Sequence, residues 1–192
     1  MMKRQIILAS TSPRRLELLR LLRIKFKAVD SGYEEVVNPR LNHYDLVKFL
    51  ALGKARAAAR KYPKDVIIAA DTMVSFRGKI IGKPKNAKDA EKMLKSFSGK
   101  AQDVITGVAV LDAQTKQVVT ATDKIRVYFK KLSASEISKY IKSGEPFDKA
   151  GAYGPQGLGF NLINKIEGDF TNILGLPMVI VFNALEKLGV KI

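Results

Sequence analysis

The chain has 192 residues, with 34 Lys and Arg against 18 Asp and Glu, a net charge of +16 and no cysteine. A content of 46% hydrophobic and 27% charged residues is that of a folded globular protein and excludes a disordered one. The missing cysteines exclude disulfides, thiolate metal sites and a Cys nucleophile; the single histidine, His43, excludes zinc sites built from several histidines and argues against a Ser-His-Asp triad.

In chain order, the apolar run Ile6–Ala9 reads as a buried strand. The apolar stretch from Gln5 is too short for a signal peptide, and no stretch approaches the roughly 20 apolar residues of a membrane span. A soluble, cytoplasmic protein without membrane contact is expected. Ser12 then caps a helix with Pro13 at its first position and Leu18, Leu19 and Leu22 on its apolar face. A second helix runs from Asp45 to about Ala59, stopped by Pro63, and Val66–Ala70 is a second buried strand bounded by Asp65 and Asp71. Val74–Phe76 and Lys79–Ile81 flank Arg77-Gly78 as a hairpin. Asn86 caps a helix over Ala87–Phe97, and two alternating segments, Val104–Leu111 and Gln117–Phe129, are joined by a polar turn. Ser133 and Glu136 form a capping box for a helix ending near Gly144. Gly151–Gly159 is a glycine-rich loop, and Pro177 begins a last helix ending at Gly189. No repeat or linker interrupts the chain, so residues 1–192 are expected to form one domain. The alternation predicts an α/β fold, a mixed sheet with flanking helices, elongated around a central cleft.

Four features carry chemistry. Arg14 and Arg15 follow Ser10-Thr-Ser-Pro at a helix start, where the helix dipole is already positive. An anion there would be met by backbone N–H groups, hydroxyls and two guanidinium forks; alternatively both arginines reach into solvent. Asp71-Thr72 follows a buried strand, where a carboxylate either holds Mg²⁺ or orients water, or simply hydrogen-bonds its own turn. Glu34-Glu35, after Asp30-Ser-Gly32, is a carboxylate pair in a loop, which alone is more often plain surface. Lys54 sits among small and apolar residues, where a charge must meet a partner or snorkel outward, and Lys83 lies in Gly-Lys-Pro. Phe147–Gly157 offers backbone room for a flat ligand beside Tyr153, with Gln156 able to donate and accept at a base edge, or is a surface loop.

Leu8-Ala-Ser-Thr-Ser-Pro-Arg-Arg15, Ala70-Asp-Thr72, Gly82-Lys-Pro84, Thr106-Gly-Val108, Phe147-Asp-Lys-Ala-Gly-Ala-Tyr-Gly154 with Gln156-Gly157, and Asn172 with Gly175-Leu-Pro177 occur in that order. Together they resemble the Maf family of nucleoside triphosphate pyrophosphatases, also described as septum-formation inhibitors, over essentially the whole chain. The resemblance implies the two-lobed fold shared with inosine triphosphate pyrophosphatase, and hydrolysis of a nucleoside triphosphate between its α and β phosphates. It implies Asp71 as general base, with Glu35 its acidic partner around a divalent cation, Mg or Mn. Ser10, Arg15, Lys54 and Lys83 match phosphate-contacting positions. Arg14, Thr72 and Gln156 match positions of substrate choice and resemble the branch acting on dTTP and UTP. One departure is Gln102, near which the family usually shows a histidine. The +16 charge suits an anionic partner, or is a lysine-rich solvated surface. An accessory nucleic-acid contact and a homodimer stay open, as does the contrasting reading of a non-catalytic nucleotide- or nucleic-acid-binding regulator of cell division.

Overall fold

The computed structural model describes residues 4–21, 23–36 and 38–190. The apolar run forms β1 (Ile6–Ala9), and α1 (Pro13–Leu21) starts at its proline, with Leu16 N–H donating to the Ser12 carbonyl. Leu18 and Leu19 are buried; Leu22 lies outside the described residues. A short strand, β2 (Phe26–Val29), follows that the sequence did not announce, because only four half-exposed residues carry it.

Helix α2 (His43–Lys61) is longer at both ends than the expected span from Asp45 to Ala59. Its cap is Asn42, whose side chain accepts from the Asp45 N–H at 3.0 Å and donates to the Asp45 carboxylate at 2.7 Å. Asp45 is therefore the third helical residue, where an acid also suits the helix dipole.

Strand β3 (Val66–Phe76) corrects the second expected strand. It runs eleven residues and does not stop at Ala70, so Asp71 and Thr72 lie within it. Two polar residues persist inside a strand because each side chain finds a partner within the protein, described below. The end of β3 forms the expected hairpin with β4 (Lys79–Ile81), antiparallel, Val74 opposite Ile81.

Helix α3 (Ala87–Phe97) sits behind Asn86 as read, followed by β5 (Ala101–Asp112) and β6 (Val118–Phe129). Helix α4 (Ala134–Lys142) carries the Ser133–Glu136 capping box. The segment expected as a glycine-rich loop is partly ordered into 3₁₀ turns at Ala150–Ala152 and Gly157–Leu162, with residues 151–154 buried. Then come β7 (Ile163–Glu167), a single-turn α5 (Phe170–Ile173) and α6 (Met178–Lys187), with Pro177 at its N-cap. Among the described residues no helix is long and apolar enough to cross a membrane.

The chain divides into two compact units. The first comprises Met1–Thr72, Ile105–Asp123 and Thr171–Ile192; the second comprises Met73–Val104 and Lys124–Phe170. In the first unit the strand order is β2-β1-β3-β5-β6, with β1 parallel to both β2 and β3. In the second, β4 pairs antiparallel with the end of β3 and β7 pairs antiparallel with the end of β6. Parallel and antiparallel pairs thus make the expected mixed sheet of an α/β fold.

Strand alternation sorts the core of the first unit into two faces. Ile6, Leu8, Val66, Ile68, Ala70, Val108 and Val110 pack with α1 and α6 through Leu18, Leu19, Val181 and Leu185. Ile7, Ala9, Ile67, Ala69, Ala109 and Leu111 pack with α2 through Ala51, Ala55 and Ala58. The second face is built of small residues, which lets α2 come close. At Gly107 on this face, an added Cβ would lie 2.4 Å from the backbone carbonyl of Val47 in α2. Gly107→Ala is expected to cost about 1–3 kcal/mol, because two backbones must separate. For a chain of this size that is a fall of roughly 2–12 °C in Tm by calorimetry; an unchanged Tm would show that α2 gives way without cost.

Candidate active site

The alternation that buries Ile67 and Ala69 against α2 carries Asp71 to the same side, and sends Thr72 to the face of α1. On α2, Lys54 lies three residues after Ala51 and four before Ala58, so the helix aims it at the sheet. The two meet: Lys54 Nζ is 2.5 Å from Asp71 Oδ1, with the side chains only 14% and 9% exposed. Lys54 therefore does not snorkel outward. The same ammonium lies 2.6 Å from Glu35 Oε1, whose side chain is 53% exposed. Glu35 is brought there by its loop, since the Tyr33 ring fits against α2 where Gly53 has no side chain; a Cβ there would lie 2.3 Å from the ring.

On the other face, Arg15 is committed to protein acceptors. Its Nε donates to the Gly175 carbonyl at 2.7 Å, Nη1 to the Ala70 carbonyl at 2.9 Å and to Ser10 Oγ at 3.5 Å, and Nη2 to Thr72 Oγ1 at 3.0 Å. The guanidinium thus ties the residue after β1, β3 and the segment before α6 together, and most of its five N–H groups are used. Arg14, in the same helical turn, is half-buried. Thr72 Oγ1 also bonds Thr106 Oγ1 at 3.0 Å; Thr106 reaches the Asn172 carbonyl at 3.4 Å, and Asn172 Nδ2 donates to Asp123 at 2.7 Å. Thr106, Asn172 and Asp123 received no role from the sequence. Thr106 was nonetheless readable, because it keeps the register of Val108 and Val110 toward the α1 face.

The structure therefore brings Glu35, Lys54 and Asp71 into one cluster, and Ser10, Arg15 and Thr72 into another on the opposite face of β3. Lys83 and Gln156 are exposed residues of the second unit. Tyr153 is not open to a ligand: it is buried and packs edge-on against Phe129, ring centroids 4.8 Å apart. Gln102 is buried beside it.

Burial pushes the Asp71 carboxyl above its ordinary range; Lys54 opposes the shift, Glu35 adds to it and Arg15 opposes it. Burial likewise lowers Arg15, partly offset by Asp71. An arginine guanidinium keeps its charge inside proteins. No group of three or more Asp, Glu or His side chains converges among the described residues. Asp71 and Glu35 still fit a hard divalent cation, which takes one or two carboxylates and completes its shell with phosphate oxygens and water. The pure-oxygen donor set suits Mg or Mn.

A family profile described as Maf-like protein matches residues 5–188. A dTTP/UTP pyrophosphatase of Caldicellulosiruptor saccharolyticus is 43% identical over 190 residues, covering 97% of this chain and 96% of its own. Proteins of the same name from Geobacter sp. and Alkaliphilus oremlandii are 46% and 47% identical, over 96% and 91% of this chain and 95% and 91% of theirs.

The raised Asp71 pKa has a stability consequence. A carboxyl whose folded pKa exceeds its unfolded value binds more protons when folded, so stability falls as pH rises from the unfolded pKa through the folded one. Asp71→Asn removes that segment. The stability difference between the variant and the parent, measured by urea unfolding, is expected to move in the variant's favour as pH rises above about 4, then level off. A difference independent of pH would show that Asp71 is not shifted.

Proposed function

Because this chain belongs to the Maf-like protein family, we propose that it is a nucleoside triphosphate pyrophosphatase, hydrolysing the α–β phosphoanhydride of dTTP or UTP to the monophosphate and pyrophosphate. The observation that carries the reading is the Asp71–Lys54–Glu35 cluster in the first unit, with Arg15 close enough to act on Asp71 electrostatically. The names of full-length relatives support the substrate class.

In this reading Asp71 accepts a proton from the attacking water as its oxygen bonds the α phosphorus, and the bond from that phosphorus to the bridging oxygen breaks to release pyrophosphate. A carboxyl raised by burial is a stronger base than an ordinary one. Lys54 and Arg15 offset the charge of the triphosphate. Asp71 and Glu35 would hold a divalent cation, which would neutralise phosphate charge and help orient water.

Ser10 and Lys83 contact phosphates, and Arg14, Thr72 and Gln156 set substrate choice. Thr72 does so through Arg15, to which its hydroxyl is already bonded. The Gln156 carboxamide both donates and accepts, as the carbonyl–NH edge of uracil and thymine requires; cytosine reverses part of that pattern. The compartment in this reading is the cytoplasm, where nucleoside triphosphates are made and used.

Pyrophosphate release from a panel of nucleoside triphosphates with Mg²⁺ tests the proposal. UTP and dTTP are expected to exceed CTP by roughly ten- to hundredfold in kcat/KM, the cost of one polar group left unpaired once the bound base covers Gln156. Asp71→Asn should lower kcat by about 10²-fold or more in a folded protein. Binding of UTP without release of pyrophosphate would instead leave a non-catalytic nucleotide-binding regulator.

A further inference from the structure

The position between Asp71 and Glu35 is already taken. Lys54 Nζ lies 2.5 Å from one carboxylate and 2.6 Å from the other, and it reaches them from a helix whose small residues hold it close to the sheet. The ammonium sits against one oxygen of each carboxylate, where a cation shared by both would also lie. Two positive charges so near one another repel strongly in a site only partly open to water. A lysine suits this position: its charge is a single point on a flexible stem of single bonds, so it can leave one anion for another without dragging a rigid fork.

We propose that Lys54 is a built-in competitor of the divalent cation. In the nucleotide-free protein it closes the Asp71–Glu35 pair, and a cation enters as the Lys54 ammonium moves away to another anion. When that anion is a phosphate, cation and nucleotide binding reinforce one another, each favouring the state with Lys54 displaced, and the coupling is reciprocal. The nucleotide part rests on the proposed function. The competition itself involves only Lys54, Asp71 and Glu35.

Mn²⁺ binding to the nucleotide-free protein, read from the electron paramagnetic resonance signal of free Mn²⁺, tests it without any turnover. Lys54→Met is expected to bind Mn²⁺ at least about tenfold more tightly than the parent, within the ordinary range of coupling between sites. The gain should vanish when Glu35→Gln is added. Equal or weaker binding by Lys54→Met overturns the inference, and so does a gain that survives Glu35→Gln.

Since Lys54→Met leaves Asp71 buried without its partner and can cost the fold, a second measurement uses the unaltered protein. Acetylation of Lys54 by acetic anhydride, followed by peptide mass spectrometry, should accelerate as MnCl₂ is added, relative to the exposed Lys64. An unchanged or slower rate at Lys54 overturns the inference as well. Pyrophosphate release from UTP is measured separately. A protein that shows the competition but no release keeps this inference and loses the proposed function. One that releases pyrophosphate without the competition loses only this.

Discussion

The close approach of α2 to the sheet is the constraint on which the site depends. Alanines at 51, 55 and 58 face Ala69 and Ala109, and Gly107 lets the backbone of Val47 come to within what a single methyl would fill. Larger residues on either side would lift the helix away, and Lys54 with it. The stem of Lys54 would then no longer hold its charge against Asp71. Packing of small residues, which stabilises little per side chain, here fixes the position of a charge.

One strand serves two chemistries because successive residues point to opposite faces. Asp71 faces α2 and joins an ionic cluster with Lys54 and Glu35. Thr72 faces α1 and joins a hydrogen-bonded chain running from Arg15 through Thr106 to Asn172 and Asp123. Arg15 bridges the two by charge, and its bonds to the carbonyls of Ala70 and Gly175 hold the backbone on either side. A guanidinium used this way is as much a clasp as a ligand. Its planar fork meets several fixed acceptors at once, which an ammonium cannot do.

A buried carboxylate next to a second carboxylate costs stability, and Lys54 and Arg15 recover only part of that cost. Strain of this kind is commonly retained where a reaction needs it, because a site optimised for stability would neutralise the group the chemistry depends on. Glu35, on the wetter side of the cluster, escapes most of the burial. The two acids therefore differ in environment although one lysine touches both.

Local signals were enough for most of the elements. The caps at Asn86 and Ser133, the hairpin at Arg77-Gly78 and the apolar run of β1 depend on neighbours within a few residues, and all are found where they were read. The motifs around Asp71, Lys54 and Arg15 were likewise visible as residues that a plain core would not carry. The extent of β3 was not, because Asp71 and Thr72 look like a strand end until Lys54, 17 residues earlier, and Thr106, 34 residues later, supply their partners. Nor were β2 and β7, whose short half-exposed segments gain their strand pairing from distant neighbours. Which residues are chemically out of place, and the α/β alternation that frames them, can be read from local pattern. Tertiary structure alone decided which of them meet, because a charge inside a strand or a helix is stable only through a partner that the chain brings from far away.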